Sequence, residues 1–260
     1  MRAPDAAHEG TVQNVLMLSG AGFLAGAMNA LAGGGSFVTL PALIAAGLPS
    51  VTANASSTVA LYPGSAVSVW VYRDALGRVE GLPLVPALIA TLLGGLAGAL
   101  LLLWTPSTLF DRVLPWLLLI ATLTLTFGPR LGPVLRARFQ AGPAVVITIQ
   151  FLLGIYGGYF GGAVGLMMMA VWSLLAQADI KSLNPPRTLM VTTANTVALA
   201  SFVAAGAVQW PETLALGLGA LIGSYGGAQL GKRLPAAIVR TTTLILAAVV
   251  TAVFFLRAYS

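Results

Sequence analysis

Two glycine clusters contain the residues of this chain that are best suited to hold a ligand. The first reads GGGS and occupies residues 33–36, and the second reads GGYFGGAVG and occupies residues 157–165. Glycine permits positive φ and lets the backbone approach a ligand closely. A helix broken at such a cluster therefore leaves backbone N–H groups free beside the N-terminus of the next helix. We therefore predict an anion site at these breaks. Close helix packing is the alternative explanation of the glycines.

Amide and hydroxyl side chains follow both clusters. Asn54 and Thr58 lie four residues apart, as do Asn184 and Thr188. Inside a bilayer such groups need polar partners, which a ligand or a hydrated cavity can supply. Helix capping and bonds to helix carbonyls are the alternative roles. The predicted substrate-binding residues are Asn29, Gly33, Gly34, Gly35, Ser36, Asn54, Ser57, Thr58, Gly161, Gly162, Gly165, Asn184, Arg187, Thr188 and Asn195.

Charged residues restrict the chemistry further. Arg187 lies next to the second polar group, where it either pairs with an anion or anchors the chain at the membrane surface. All seven acidic residues lie in the N-terminal tail or near the ends of apolar runs, so no proton relay is predicted. The single histidine, His8, is in that tail, and cysteine is absent. We predict no metal site, no cofactor and no enzymatic activity.

The composition requires a membrane around these residues. The 260-residue chain is 58% hydrophobic and only 8% charged, against about 25% charged residues in soluble domains. Its apolar excess must therefore face lipid. The net charge of +6 does not indicate nucleic-acid binding, because the basic residues occupy short gaps between apolar runs.

Eight apolar runs approach the roughly 20 residues that cross a bilayer, and two shorter runs, 37–47 and 166–176, follow the glycine clusters. The full-length runs are 14–32, 51–72, 82–103, 113–129, 143–160, 187–205, 211–230 and 237–257. If the short runs reverse the chain direction, ten of the thirteen basic residues fall on one side, which is then the cytoplasm. We therefore predict ten membrane-embedded segments with both termini outside.

An internal repeat organises these segments. At an offset of about 130 residues, Asn54 and Thr58 align with Asn184 and Thr188, and the glycines at 26, 33 and 34 align with those at 154, 161 and 162. Five segments is an odd number, so the two copies insert upside down relative to each other, as in many transporters. We predict a polar tail (1–13), a first repeat (14–129), a basic cytoplasmic linker (130–142) and a second repeat (143–260).

The sequence resembles the sulfite exporter TauE/SafE family of membrane transporters over about residues 15–257. The resemblance rests on GAMNALAGGGSFVTLPALIAAGLPSVTANASST (26–58), YPGSAVSVWVYR (62–73), YGGYFGGAVG (156–165) and LNPPRT (183–188). It implies export or uptake of sulfur-containing anions such as sulfite or organosulfonates. Arg187 stands where the resemblance leads us to expect a lysine, which keeps the charge but changes the hydrogen-bond geometry.

These observations lead to one functional hypothesis. We predict an all-α, multi-pass protein of the bacterial inner membrane whose two inverted repeats enclose one small anion and carry it by alternating access. The predicted partners are that anion and the lipid bilayer, and a homodimer is left open. A passive anion channel is the main alternative, since Gly-rich re-entrant segments also suit pores. A membrane scaffold without a substrate is the second alternative.

Overall fold

The computed structural model describes the backbone of residues 3–76, 83–136, 142–162, 164–165, 167–168, 172, 180–231 and 235–260. Within these ranges it leaves aside the side chains of residues 3–12, 32, 75, 129–136, 143, 180–182, 184, 228 and 236. All regular structure in the described ranges is helical, which confirms the prediction of an all-α protein.

Helices make up most of the described ranges. They are α1 (Ala3–Ala32), α2 (Ser36–Ala45), α3 (Ser50–Tyr72), α4 (Leu84–Trp104), α5 (Ser107–Arg136), α6 (Pro143–Tyr159), α7 (Ile180–Ala204), α8 (Trp210–Gly231) and α9 (Ala236–Tyr259). A single 3₁₀ turn, Arg73–Ala75, follows α3.

Four helices of the described ranges are long and apolar enough to cross a membrane. These spans are Gln13–Leu31 within α1, Leu84–Trp104, Ser107–Gly128 within α5, and Ala237–Tyr259 within α9. Helices α3, α7 and α8, with 23, 25 and 22 residues, are also long enough. They are less apolar because hydroxyl and glycine residues replace aliphatic ones. Of the eight predicted spans, only some therefore coincide with described helices that are both long enough and apolar enough to cross a membrane.

Several helix boundaries differ from the sequence prediction. Helix α7 begins at Ile180 and continues through Pro185 and Pro186, although the predicted segment began at residue 187. Both prolines are buried, and surrounding helices stabilise a proline-containing turn that would be costly in water. Helix α1 extends back to Ala3, into the predicted polar tail. The second short helix, predicted for 166–176, falls mostly outside the described residues.

Glycines bring two pairs of helices into close contact. A Cβ on Gly26 of α1 would overlap the carbonyl oxygen of Ala220 in α8. Similarly, a Cβ on Gly98 of α4 would overlap the carbonyl oxygen of Ile155 in α6. These two pairs, α1 with α8 and α4 with α6, form the most extensive helix contacts of the described chain. Small residues permit such backbone approach where lipid gives no hydrophobic drive to association.

Apolar packing around α2 closes one end of the bundle. Phe37, Leu40 and Leu43 of α2 are fully buried and belong to one core with residues of α3, α5, α6, α7 and α9. Phe160, just after α6, joins this core and makes an edge contact with the Tyr156 ring, with the ring centroids 5.8 Å apart. Side chains at this end of α3 are therefore surrounded by protein.

Candidate functional site

A polar cavity of about 170 Å³ lies between α1, α3, α7 and the segment that follows α6. It is smaller than the roughly 300–1,000 Å³ of sites for drug-sized ligands. Its described lining consists mainly of small and hydroxyl residues. The lining residues are Asn29, Ala30, Gly33, Ser36, Thr58, Leu61, Ser65, Ser68, Tyr72, Gly161, Val164, Gly165, Arg187, Thr188, Val191, Thr192 and Asn195.

Two glycines with nearly identical backbone geometry border the cavity. Gly33 follows α1 with φ +72°, and Gly161 follows α6 with φ +73°. Only glycine adopts this left-handed conformation without a steric penalty. The Gly33 N–H donates to the Asn29 carbonyl at 2.9 Å, and the Gly161 N–H donates to the Tyr156 carbonyl at 3.4 Å. These two N–H groups therefore close the preceding helices and are not free for a ligand.

Arg187 is the one charged side chain among the described lining residues. Its Nε is buried and finds no hydrogen-bond partner in the described part of the chain. Gly165 borders the guanidinium: a Cβ built on Gly165 would be in ordinary van der Waals contact with Arg187 Nη1, at 3.7 Å. A guanidinium in a small enclosed space attracts an anion and offers it several N–H donors.

The N-terminus of helix α2 borders the same cavity. Ser36, its first residue, lines the cavity, and no described side chain caps this helix end. The positive end of a helix dipole favours an anion. The α2 terminus thus adds to the field of Arg187.

Polar groups of α7 complete the lining. Thr188 is only 7% exposed, and the buried Asn195 Oδ1 accepts no hydrogen bond from any described donor. Thr192 lies between them and donates its hydroxyl hydrogen to the Ser65 carbonyl at 3.3 Å. A buried polar atom without a partner favours binding of a ligand that can bond to it.

The structure brings together many of the predicted site residues. Those that line the cavity are Asn29, Gly33, Ser36, Thr58, Gly161, Gly165, Arg187, Thr188 and Asn195. The side chain of Asn184 lies outside the described part, so its predicted role stays a prediction.

Five predicted site residues lie elsewhere. The Asn54 amide donates to the Tyr159 carbonyl at 3.0 Å, and the Ser57 hydroxyl bonds to that of Thr39. Gly35 lets the chain pass close to α1, since a Cβ there would be 2.8 Å from the Ala25 carbonyl oxygen. Gly34 and Gly162 are buried outside the lining. Their surroundings fit packing and helix connection.

The prediction omitted the second half of the α3 face. Beyond the predicted Thr58, this face contributes Leu61, Ser65, Ser68 and Tyr72 to the cavity lining. Their spacing of three or four residues places them on one side of a helix. This polar stripe in an apolar helix was the available signal. The corresponding stripe on α7 comprises Thr188, Val191, Thr192 and Asn195.

Comparison with known proteins agrees with this architecture. The family described as "Sulfite exporter TauE/SafE" matches residues 18–254. "Probable membrane transporter protein YfcA" of Escherichia coli (strain K12) is 29% identical over 88% of this chain and 85% of its own length. "Probable membrane transporter protein ORF9" of Sinorhizobium sp is 28% identical over 86% of each chain. A similarly named Haemophilus influenzae protein is 26% identical over 89% of this chain and 90% of its own. No solved structure matches.

Proposed function

Because the chain belongs to the sulfite exporter TauE/SafE family, we propose that it is a secondary carrier for a small sulfur-containing anion such as sulfite or an organosulfonate. The observation that carries the proposal is Arg187, the one charge on the described lining of a small polar cavity. The α2 N-terminus beside it adds a second favourable field for an anion. The bacterial relatives are named as membrane transporters, which supports a location in the bacterial inner membrane.

We further propose that residues 14–129 and 143–260 are inverted repeats around this cavity. Gly33 and Gly161, 128 positions apart, share almost the same φ. The close pairing of α1 with α8 has a counterpart in that of α6 with α4. If the two halves of the chain are exchanged, α6 takes the place of α1 and α4 takes the place of α8. Such symmetry gives a carrier two related conformations around a fixed site.

The cavity has different surroundings at its two ends. Tyr72, at the end of α3 next to Arg73, is 36% exposed. At the other end, Phe37 and Phe160 are buried in the apolar core. Since the charge bias predicts a cytoplasmic position for the loop after α3, we assign this conformation as open to the cytoplasm. Access from one side at a time favours a carrier over a continuous pore.

Flux measurements in proteoliposomes test this function. We expect saturable uptake of radiolabelled sulfite or sulfonate that is accelerated by unlabelled anion on the opposite side. Arg187→Ala removes a charge-assisted hydrogen bond, so anion affinity is expected to fall by about 10- to 100-fold. Arg257→Ala, an exposed arginine at the far end of α9, serves as the matched control.

The outcomes separate the competing functions. Non-saturable flux with single-channel currents would establish the pore instead. Absence of both flux and anion-dependent thermal stabilisation would favour a scaffold. If the Arg187→Ala variant kept its full anion affinity, the assignment of Arg187 to the anion site would be wrong.

A further inference from the structure

Three hydroxyl groups on the cavity wall donate their hydrogens to backbone carbonyls. Thr58 donates to the Asn54 carbonyl at 3.0 Å, and Ser68 donates to the Gly64 carbonyl at 2.8 Å. Thr192 donates to the Ser65 carbonyl. In each of these bonds the hydroxyl is the donor, because a carbonyl oxygen only accepts. A hydroxyl has one hydrogen and two lone pairs, so these three oxygens offer the cavity only acceptor sites.

Asn195 adds another acceptor to this wall. Its Oδ1 is buried and receives no hydrogen bond from the described residues. It lies on the same face of α7 as Thr192 and Thr188. The oxygens of Thr192 and Asn195, three residues apart on α7, therefore form an acceptor pair in a cavity whose described lining has one cation, Arg187. An oxyanion oxygen beside this pair would meet lone pairs, whereas a donor group would find a partner there.

We propose that the solute carries its own hydrogen-bond donor, a hydroxyl or ammonium group, close to a single negatively charged group. This inference rests on the proposed transport function and narrows its substrate class. The anionic group binds at Arg187, and the donor binds at the oxygens of Thr192 and Asn195. A solute with an oxyanion oxygen in place of the donor would set lone pairs against lone pairs there.

A matched pair of solutes tests the proposal on the unmodified chain. Hydroxyethanesulfonate and ethanesulfonate differ by one hydroxyl, and aminoethanesulfonate places an ammonium at the same position. Isothermal titration calorimetry with the purified protein measures the affinity for each. We expect a donor-bearing sulfonate to bind about fivefold more tightly than ethanesulfonate, as one net hydrogen bond would give. The comparison of hydroxyl with ammonium identifies the preferred donor.

Variants of α7 test whether its acceptor atoms cause the preference for donor-bearing sulfonates. The double variant Thr192→Val with Asn195→Leu removes two acceptors at nearly constant side-chain volume. We expect the ratio of the affinity for a donor-bearing sulfonate to the affinity for ethanesulfonate to approach one. Thr192→Val alone, the milder change, should lower the ratio. Thr193→Val is the matched control, since its hydroxyl bonds to the Leu189 carbonyl and Thr193 is not a lining residue. It should leave the ratio unchanged.

The possible failures are distinguishable. Equal affinities of the unmodified chain for all three sulfonates, with binding still dependent on Arg187, would overturn the donor requirement and leave the proposed function intact. An undiminished preference in both α7 variants would overturn the assignment to these acceptors. If the unmodified chain binds none of these sulfonates or sulfite, both proposals fail.

Discussion

Asn54 and Asn195 are both asparagines on helices beside the cavity, but their surroundings differ. Asn54 is 2% exposed, and its amide donates to the carbonyl of Tyr159, the last residue of α6. Carbonyls at a helix C-terminus have no partner within the helix. Asn54 thus satisfies a helix end and joins α3 to α6. Asn195 instead lines the cavity with an unsatisfied oxygen.

Replacing Asn54 with alanine should therefore affect stability more than binding. The change leaves the Tyr159 carbonyl without its donor, which costs about 1–3 kcal/mol for a buried group. We expect a lower Tm for Asn54→Ala and anion affinity within about twofold of the unmodified chain. Thermal unfolding with and without anion measures both quantities. A large loss of affinity at unchanged Tm would instead make Asn54 a ligand.

Helices α3 and α7 combine two functions that affect their composition. One face of each packs against neighbours, and the other presents a polar stripe to the cavity. Three hydroxyl groups on these stripes donate to carbonyls. Thr58 and Ser68 donate to carbonyls four residues earlier on α3, and Thr192 of α7 donates to the Ser65 carbonyl of α3. This explains why α3 and α7 are long enough to span but less apolar than α4 or α9.

The glycine contacts between α1 and α8 predict a steric effect. A Cβ at Gly26 overlaps the Ala220 carbonyl oxygen, whereas a Cβ at Gly20, on the same helix, has no atom within 4 Å. We expect Gly26→Ala to destabilise the protein by about 1–3 kcal/mol through overpacking. Gly20→Ala should be neutral or slightly stabilising, because alanine has the higher helix propensity. Equal Tm values for the two variants would contradict the close packing.

At the scale of the whole molecule, the proposed orientation, with the cavity open to the cytoplasm, can be tested by labelling. The chain has no cysteine, so single cysteines can be labelled without background. We expect a membrane-impermeant maleimide to label Ser65→Cys in inside-out vesicles, with protection by bound anion. Ser260→Cys, at the exposed terminus predicted to be outside, should react in right-side-out vesicles. Labelling of Ser65→Cys only from the outside would contradict the cytoplasm-open assignment.

The sequence alone was sufficient for the helical membrane architecture, since apolar runs of spanning length have no other stable environment. It also indicated the polar segments around the cavity, because hydroxyl, amide and glycine residues are conspicuous in an apolar chain. Asn195 was predicted to bind for this reason, whereas Arg187 was singled out because its charge lies next to the second polar group. The family resemblance stated from the sequence was confirmed by the match over residues 18–254.

Only the tertiary structure distinguished cavity residues from packing residues. Asn54 and Ser57 carry the same functional groups as Asn195 and Thr58, and composition does not separate them. Their roles depend on which carbonyl or hydroxyl lies within hydrogen-bond distance. The bond from Thr192 on α7 to the Ser65 carbonyl on α3 is likewise a tertiary contact, whereas the bonds of Thr58 and Ser68 are local to α3. Hydrogen-bond partners are set by how helices pack, and packing brings together residues that are far apart in the sequence.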